Sequence, residues 1–381
     1  MNLYTYQLYT STTQHPEQWN RLAVDTVFLS SAYLEVLEKS APTNMTCHFI
    51  GLFDGETLIG IALSQFLDLN QLESFGERDQ CVKTYIRNFV FRNFASHVLF
   101  VGNNMLTGQH AFAFSKDCET AMALETLSEA TNELKTIFKS KGKKVHIVTY
   151  KDFNSEEVNL FKKVGFDDYY EFNSQPNMVF GVRSNWNNEQ DYIDALTKKY
   201  RDQYKRARKK ALGIEKRKML LDDIIAHEAA IYELYFHVAK NAPFNTFFLA
   251  KNHFSTFKRI FDHDFLFYGY FLNDKMIGFN TMIKNGKSLD TYFLGYDDSI
   301  QREKMLYLNM LYDMIAYAIK KGYEEVIFSR TALEIKSSVG AKPIKTVGLI
   351  KHESGILNRY MSTIFPYLEP EMVWQERNPF Q

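Results

Sequence analysis

Polar side chains gather at two places in the second half of the chain, each beside a β-rich run. The run 289–295 is surrounded by Asp290, Tyr292, Tyr296, Asp297 and Asp298, and the run 326–330 leads into Ser329, Arg330, Thr331, Glu334 and Lys336. If the two runs are neighbouring parallel strands, their ends face one crevice, where such sheets bind ligands. The carboxylates could accept a proton, Tyr292 could donate one, and Arg330 and Lys336 could hold an anionic group.

These residues also have structural interpretations. Arg330 and Glu334 are four positions apart and could pair across one helical turn. Tyr292 on a strand could be half-buried packing. The sequence alone leaves both interpretations open.

A strongly basic stretch, residues 198–218, lies near the middle of the chain. It holds eleven Lys and Arg against two acids, a net charge of +9 in a chain that is neutral overall. Its apolar positions have the spacing of a helix that packs one face on a core, and they are Tyr200, Tyr204, Ala207 and Ala211. Gly213 is a natural stop for that helix. Cations on the other faces, Arg201 and Arg206 among them, could bind an anionic substrate or simply be solvated.

Composition limits the class of protein. A chain of 381 residues with 45% hydrophobic and 24% charged residues is typical of a globular protein with two domains. The first residues show no secretory signal, and no apolar run is long enough to span a membrane. The three cysteines, Cys47, Cys81 and Cys118, have no metal-ligand spacing, so we expect a cytoplasmic protein without a metal.

Several other classes are excluded by missing motifs. The chain has no GxSxG, HExxH or GxxxxGK motif, which removes common hydrolase, zinc-protease and nucleotidase interpretations. It has no helix-turn-helix, zinc-finger or RNP pattern around the basic stretch. Sequence-specific nucleic-acid binding is therefore not expected.

The two halves of the chain repeat one another. Residues 48–64 and 266–282 both read as a β-hairpin, and they align without a gap, so that Gly51 meets Gly269 and Ile59 meets Ile277. In each half a strand, a long helix ending at Lys-Gly, another strand and a short helix follow in the same order. Five features in one order indicate a duplication.

Each half therefore predicts an α+β domain with a mixed sheet flanked by helices. We expect an N-terminal domain at 1–185, a basic helical connector at 186–218 and a C-terminal domain at 219–381. A strand–helix–strand crossover in each half implies parallel neighbouring strands.

This order of elements resembles the GNAT acyltransferase fold. LFKKVGFDDYYEF (160–172) is similar to the C-terminal signature of that superfamily. YRDQYKRARKKALGI and YLNMLYDMIAYAIKKGYEEVIFSRTALEIKSSVGA resemble motif blocks of the FemAB-like, acetyltransferase 6 group of tandem GNAT proteins. The resemblance covers most of the chain from about residue 48.

The resemblance implies an N-acyltransferase. It would move an acyl or aminoacyl group from a CoA or ACP thioester, or from an aminoacyl-tRNA, to an amine, with cell-envelope or lipid precursors as suggested acceptors. Tyr292 would protonate the leaving group, and Asp297 or Glu334 would accept a proton from the amine. The residues expected to bind substrate are Arg330, Thr331, Lys336, Arg201 and Arg206.

The donor's phosphate loop departs from the family pattern. In the second half the loop reads GYDDSIQREKMLY, where Asp297 and Asp298 would repel a phosphate. In the first half GNNMLTGQHAFAF offers a better loop, because glycine lets backbone N–H groups approach an anion. We therefore expect an acyl-CoA donor to contact Asn103, Thr107 and Gly108, or this stretch to be only a glycine-bearing turn.

Two other functions remain open at this stage. The chain could be a GNAT-fold binding module that has lost its donor site, or a protein that binds tRNA or other RNA through the basic helix. Peripheral contact with a membrane and the oligomeric state are left open by the sequence.

Overall fold

The computed structural model describes residues 4–71, 94–241, 245–368 and 374–380. Cys81 lies outside the described residues. The chain forms two compact units. Unit 1 comprises Met1–Ser174, Thr246–Ala250 and Lys345–Glu371, and unit 2 comprises Gln175–Asn245, Lys251–Ile344 and Met372–Gln381.

The described residues form strands and helices in alternation. The strands are β1 (Tyr4–Tyr9), β2 (Met45–Asp54), β3 (Thr57–Asp68), β4 (His97–Val101), β5 (Phe112–Phe114), β6 (Ile147–Phe153), β7 (Tyr170–Gly181), β8 (Ile214–Lys218), β9 (Phe265–Leu272), β10 (Lys275–Asn285), β11 (Ser288–Tyr296), β12 (Glu325–Ile327) and β13 (Lys342–His352). The helices are α1 (Trp19–Leu22), α2 (Ser31–Ser40), α3 (Thr120–Ser140), α4 (Ser155–Lys162), α5 (Glu189–Ala195), α6 (Lys198–Lys210), α7 (Leu221–Ala226), α8 (Glu228–Ala239), α9 (His253–Phe261), α10 (Asp298–Lys304), α11 (Leu306–Lys321), α12 (Leu333–Ser338), α13 (Gly355–Arg359) and α14 (Met361–Leu368).

The sheet of unit 1 has the order β1-β2-β3-β4-β6-β13, with β5 paired to β3. β4 and β6 run parallel, and the other described pairs are antiparallel. The long helix α3 packs on β1, β2 and β3 because Leu127 and Leu134 recur at helical spacing on its buried face.

Unit 2 has the sheet order β7-β12-β11-β10-β9-β8, in which β11 and β12 run parallel. Leu308 and Ile315 of α11 share one core with Tyr200 and Ala207 of α6. Helix α8 packs on β10 and β11. It comes so close to β11 that a Cβ added at Gly295 would lie 2.5 Å from the α8 backbone.

The predicted α+β fold class and the order of elements in each half are confirmed. Both hairpins form, and the second turns at Asn273 and Asp274, which have φ values of 49° and 60° as a tight hairpin turn requires. The Lys-Gly signal ends α11 at Gly322, whose φ is 73°.

The basic stretch belongs to unit 2. Residues 198–210 form the predicted helix, α6, with Tyr200 and Ala207 buried. Residues 214–218 form β8, which pairs with β9, so the helical connector predicted at 186–218 ends in a strand. The boundaries at 185 and 219 stay a prediction.

Each unit contains most of one strand that comes from the other half of the sequence. Most of β7, from the first half of the sequence, belongs to unit 2, where it pairs with β12. Most of β13, from the second half, belongs to unit 1, where it pairs with β6. Among the described residues no helix is long and apolar enough to cross a membrane.

Candidate active site

In unit 2 the parallel strands β11 and β12 lie side by side only at their beginnings. Residues 288–290 pair with residues 325–327, where β12 ends, while β11 continues to Tyr296. In unit 1 the equivalent strands β4 and β6 stay paired to the end of β4 at Val101. β12 therefore pairs with β11 only as far as Asp290.

β11 also carries a bulge just beyond this point. Two of its residues, Tyr292 and Phe293, oppose a single residue of β10, Thr281. The corresponding ladder of unit 1, between β3 and β4, has no register shift. Bulges redirect side chains and are common beside active sites, so this one singles out unit 2.

Tyr292 points from the bulge toward α9. Its hydroxyl is 2.9 Å from Nε2 of His253, a histidine that is 0% exposed. The Tyr292 ring also lies 5.4 Å from the ring of Phe257. This hydrogen bond joins the predicted proton donor to a second group that can exchange a proton.

The chain turns sharply after β12. Ser329, Thr331 and Ala332 have φ values of 60°, 66° and 47°, the left-handed region that non-glycine residues seldom adopt. Such a run persists only where surrounding contacts hold it, and it is typical of functional sites.

Lys336 of α12 holds this turn. Its ammonium donates to the backbone oxygens of Ser329, at 3.2 Å, and Arg330, at 2.6 Å. The side chain is buried, and no carboxylate of the described residues lies within 4.0 Å of the ammonium. Burial lowers the pKa of Lys336 to about 7.

The neighbours of Lys336 differ in exposure. Arg330 is half-buried, and burial lowers its pKa to about 10. Thr331 and Glu334 are exposed. Glu334 pairs with Arg377 rather than with Arg330, so the helical-turn pair considered from sequence does not form.

Asp297 has a structural contact at the far end of β11. It is the N-cap of α10, accepting hydrogen bonds from the Ser299 hydroxyl at 2.6 Å and the Ser299 amide at 3.0 Å. The bond from the Ser299 hydroxyl is the largest of the effects that lower the pKa of Asp297. A carboxylate held in this way is a weak candidate for the proton acceptor.

The two predicted substrate-binding arginines of α6 have different surroundings. Arg201 donates to the backbone oxygens of Asp194 and Leu196, which fixes the corner between α5 and α6. Arg206 is exposed. Their neighbour Arg208 instead makes ion pairs inside unit 2, each 2.7 Å long, with Glu189 and Asp313.

The residues of the predicted donor loop in unit 1 form hydrogen bonds with other residues of the same unit. Asn103 is 1% exposed, and its amide group donates to the Tyr33 hydroxyl and accepts from the Met105 amide. Thr107 is also buried. The Gly108 amide donates to the carboxylate of Asp152, at 3.3 Å.

Lys151 completes this internal arrangement. Its ammonium donates to the backbone oxygens of Asn103 and Leu106 and pairs with Asp152. A carboxylate therefore already lies where the loop could have received a phosphate, and a donor phosphate would have to displace it.

Tyr292, Arg330 and Lys336 all belong to unit 2. Tyr292 lies on β11, and Arg330 and Lys336 follow the adjacent strand β12. That these residues form one site stays a prediction. His253 was missed, because a lone histidine in a helix carries no sequence signal. The described part of the chain contains no group of three His, Cys, Asp or Glu able to hold a metal ion.

No protein-family model matches the sequence, and no curated protein sequence matches it. Solved structures do match along most of the chain. FemX is 11% identical, with 94% of this chain and 99% of FemX covered and a TM-score of 0.54. This chain therefore shares the fold of FemX over most of its length.

Two further solved structures match this chain along most of its length. The C-terminal domain of an Agrobacterium fabrum protein described as a lysylphosphatidylglycerol synthetase is 7% identical, with 94% of this chain and 98% of that one covered and a TM-score of 0.52. A conserved protein of unknown function from Bacteroides thetaiotaomicron VPI-5482 is 9% identical, with coverages of 91% and 99% and a TM-score of 0.50.

Proposed function

We propose that the protein transfers an acyl or aminoacyl group from an activated ester or thioester to an amine, and that unit 2 carries the reaction. One observation carries the proposal: the buried Lys336 ammonium, with no described carboxylate within 4.0 Å, is held by the turn that follows β12. At or below its pKa of about 7 Lys336 carries a proton, and a cation in such surroundings interacts strongly with a carbonyl oxygen that gains negative charge. The fold shared with FemX, and with a protein described as a lysylphosphatidylglycerol synthetase, supports the same reaction class.

The proposed chemistry needs no covalent intermediate on the protein. The amine nitrogen attacks the donor carbonyl carbon, and the oxygen becomes an anion that accepts a hydrogen bond from Lys336. Collapse of this intermediate expels a thiolate or an alkoxide. The amine loses one proton and the leaving group gains one, so the proton balance closes.

We assign the proton transfers to Tyr292 and His253. The Tyr292 hydroxyl donates its proton to the leaving group, and His253 donates a proton to the Tyr292 oxygen through their 2.9 Å hydrogen bond. The proton released by the amine returns to His253, so both groups recover their starting state. Among the predicted catalytic residues, Tyr292 is the one we retain for this role. Asp297 and Glu334 have the capping and surface contacts described above.

The identity of the acyl donor and the place where it binds are also part of the proposal. CoA thioesters and aminoacyl-tRNA are both anionic, and the exposed cations of α6 would steer either one toward unit 2. These cations are Lys198, Lys199, Lys205, Arg206, Lys209 and Lys210. This steering should weaken as salt increases. Because Asp152 occupies the unit 1 loop, we place the donor carbonyl in unit 2.

The test is amide formation by the purified protein with acetyl-CoA, long-chain acyl-CoA or aminoacyl-tRNA and a mixture of amines, read by mass spectrometry. We expect product with at least one donor and none with Lys336→Met. Lys258→Met is the matched control, because Lys258 of α9 is also buried and donates to two backbone oxygens, those of Asp262 just after the helix and of Phe265 at the start of β9. Product formation by Lys336→Met at the wild-type rate would refute the proposal.

A further inference from the structure

A buried carboxamide on β7 has an oxygen atom that lacks a hydrogen-bond donor. Asn177 belongs to unit 2 and is 8% exposed. Its Oδ1 atom is buried and accepts no hydrogen bond from the described residues. A buried oxygen without a donor destabilises a folded protein, so it needs an explanation. A ligand that brings an N–H group to this oxygen would supply one.

Asn177 lies beside the turn that follows β12. β7 and β12 pair as antiparallel strands, and their hydrogen bonds continue past the end of β12. The Phe328 amide donates to the Met178 oxygen at 2.8 Å, and the Met178 amide donates to the Ser329 oxygen at 3.2 Å. Asn177 is the next residue of β7 in that direction. It is therefore adjacent to the turn whose backbone oxygens bind the Lys336 ammonium.

The same row of the sheet leads from Asn177 to Tyr292. Val179, Ile327 and Asp290 lie side by side on three adjacent strands. Asn177 is two residues before Val179 on β7. Tyr292 is two residues after Asp290 on β11, which runs opposite to β7. Because side chains two residues apart share a face, Asn177 and Tyr292 lie on one face of the sheet, on either side of the end of β12 and about 10 Å apart.

This face is not the one that packs on α11. The residues that alternate with the row point into the core around α11, and they are Phe180, Val326 and Leu289. Asn177 therefore faces the other side of the sheet, where Tyr292 meets α9. The unsatisfied oxygen thus belongs to the side of unit 2 that carries the assigned proton donor.

We propose that the Asn177 oxygen binds the amine that reacts, by accepting a hydrogen bond from its N–H group. This inference rests on the proposed amide-forming reaction in unit 2. A neutral amine has both N–H groups and a lone pair, so one N–H binds Asn177 while the lone pair attacks the donor carbonyl carbon. Tyr292 then protonates the leaving group from the other side of β12. A carboxylate at position 177 would suit this role less, because it would hold the amine as an ammonium ion, which cannot attack.

Nuclear magnetic resonance without any donor measures binding separately from transfer. The carboxamide signal of Asn177, identified by its absence from Asn177→Asp, should shift saturably when n-butylamine is added. n-Butyltrimethylammonium has the same chain and a positive charge but no N–H group, so it should leave the signal in place. The absence of a shift with n-butylamine, or equal shifts with both probes, would overturn the inference, whether or not the protein forms amides.

Kinetics with the donor and amine that give product test the role of Asn177 in the reaction. Asn177→Leu should raise KM for the amine about tenfold and leave KM for the donor unchanged, because only the amine loses a hydrogen bond. Asn173→Leu makes the same change at an exposed position of β7 and is the matched control, which should alter neither constant.

Asn177→Asp keeps an acceptor oxygen and adds a charge. Its carboxylate should raise the pKa of the bound amine, so the pH optimum of kcat should move upward. If Asn177→Leu leaves KM for the amine unchanged and Asn177→Asp leaves the pH optimum unchanged, the Asn177 oxygen binds only water and the inference is wrong.

Discussion

Replacing Lys336 by Met should change how the stability of the protein depends on pH. Burial lowers the pKa of Lys336 from an ordinary value of 10.5 to about 7. Between these two values the unfolded chain holds a proton that the folded protein has lost. The free energy of unfolding of the wild type therefore rises with pH in this interval, and below pH 7 the full cost of burying the charge is present.

Lys336→Met has no such charge to bury. Relative to the wild type, the variant should be more stable at pH 6 than at pH 9 by about 3 kcal/mol, from about two units of unequal protonation at about 1.4 kcal/mol each. The variant also loses the hydrogen bonds to the Ser329 and Arg330 oxygens. That loss acts at both pH values and cancels in the comparison.

Urea unfolding at pH 6 and pH 9 measures this difference, with fluorescence of Trp186, buried in unit 2, as one reporter. Lys342→Met is the control, because Lys342 is exposed and pairs with Glu376 on the surface. The difference in free energy of unfolding between Lys342→Met and the wild type should be the same at both pH values. The difference in free energy of unfolding between Lys336→Met and the wild type should instead depend on pH. If this difference changes by less than about 1 kcal/mol between pH 6 and pH 9, Lys336 does not carry a buried charge and the reasoning fails.

Three more substitutions in unit 2 test the packing around the site. Burial raises the pKa of Asp290 from 3.8 to about 7, so the free energy of unfolding of the wild type should fall as pH rises through this interval. Relative to the wild type, Asp290→Asn should be more stable at pH 8 than at pH 5 by about 3 kcal/mol in urea unfolding. An equal difference at both pH values would contradict this. Gly295→Ala should lower stability by about 3 kcal/mol, because its Cβ would meet the α8 backbone, and an unchanged melting temperature would show that α8 can move aside. Arg208→Met should cost about 2 kcal/mol in urea unfolding, because Glu189 loses its cation and Asp313 keeps only Lys216. Arg206→Met, at an exposed position, should cost little, and equal losses would refute the distinction.

The sequence predicts those parts of the fold that depend on neighbouring residues. Hairpin turns such as Asn273-Asp274 and the end of α11 at Gly322 are set by local backbone preferences, and both are confirmed. The strand β8 was hidden because its five residues include four charged ones, which an edge strand can carry on its exposed side.

Long-range partners could not be read from the pattern. Nothing local shows that β7 pairs in unit 2 and β13 in unit 1, because partner choice between strands depends on tertiary packing. The same limit holds for Arg208, which looks like any other cation of the basic stretch and is in fact paired inside unit 2.

The site was predictable in its residue types and not in its contacts. Polar residues at the ends of two neighbouring strands made Tyr292, Arg330 and Lys336 candidates, and their role stays a prediction. The bulge at Tyr292 and its bond to His253 depend on register and on helix placement, which the sequence does not encode locally. The internal Asp152 in the unit 1 loop likewise depends on the fold, because the two segments are far apart in sequence.

The rate of amide formation by wild type, Lys336→Met and Lys336→Arg tests the central claim most directly. With the donor that gives product, the account predicts no measurable rate for Lys336→Met and a partial rate for Lys336→Arg, which keeps a cation near the backbone oxygens of Ser329 and Arg330. Equal rates for Lys336→Met and the wild type would show that the reaction does not use the cation at the end of β12, and would contradict the account.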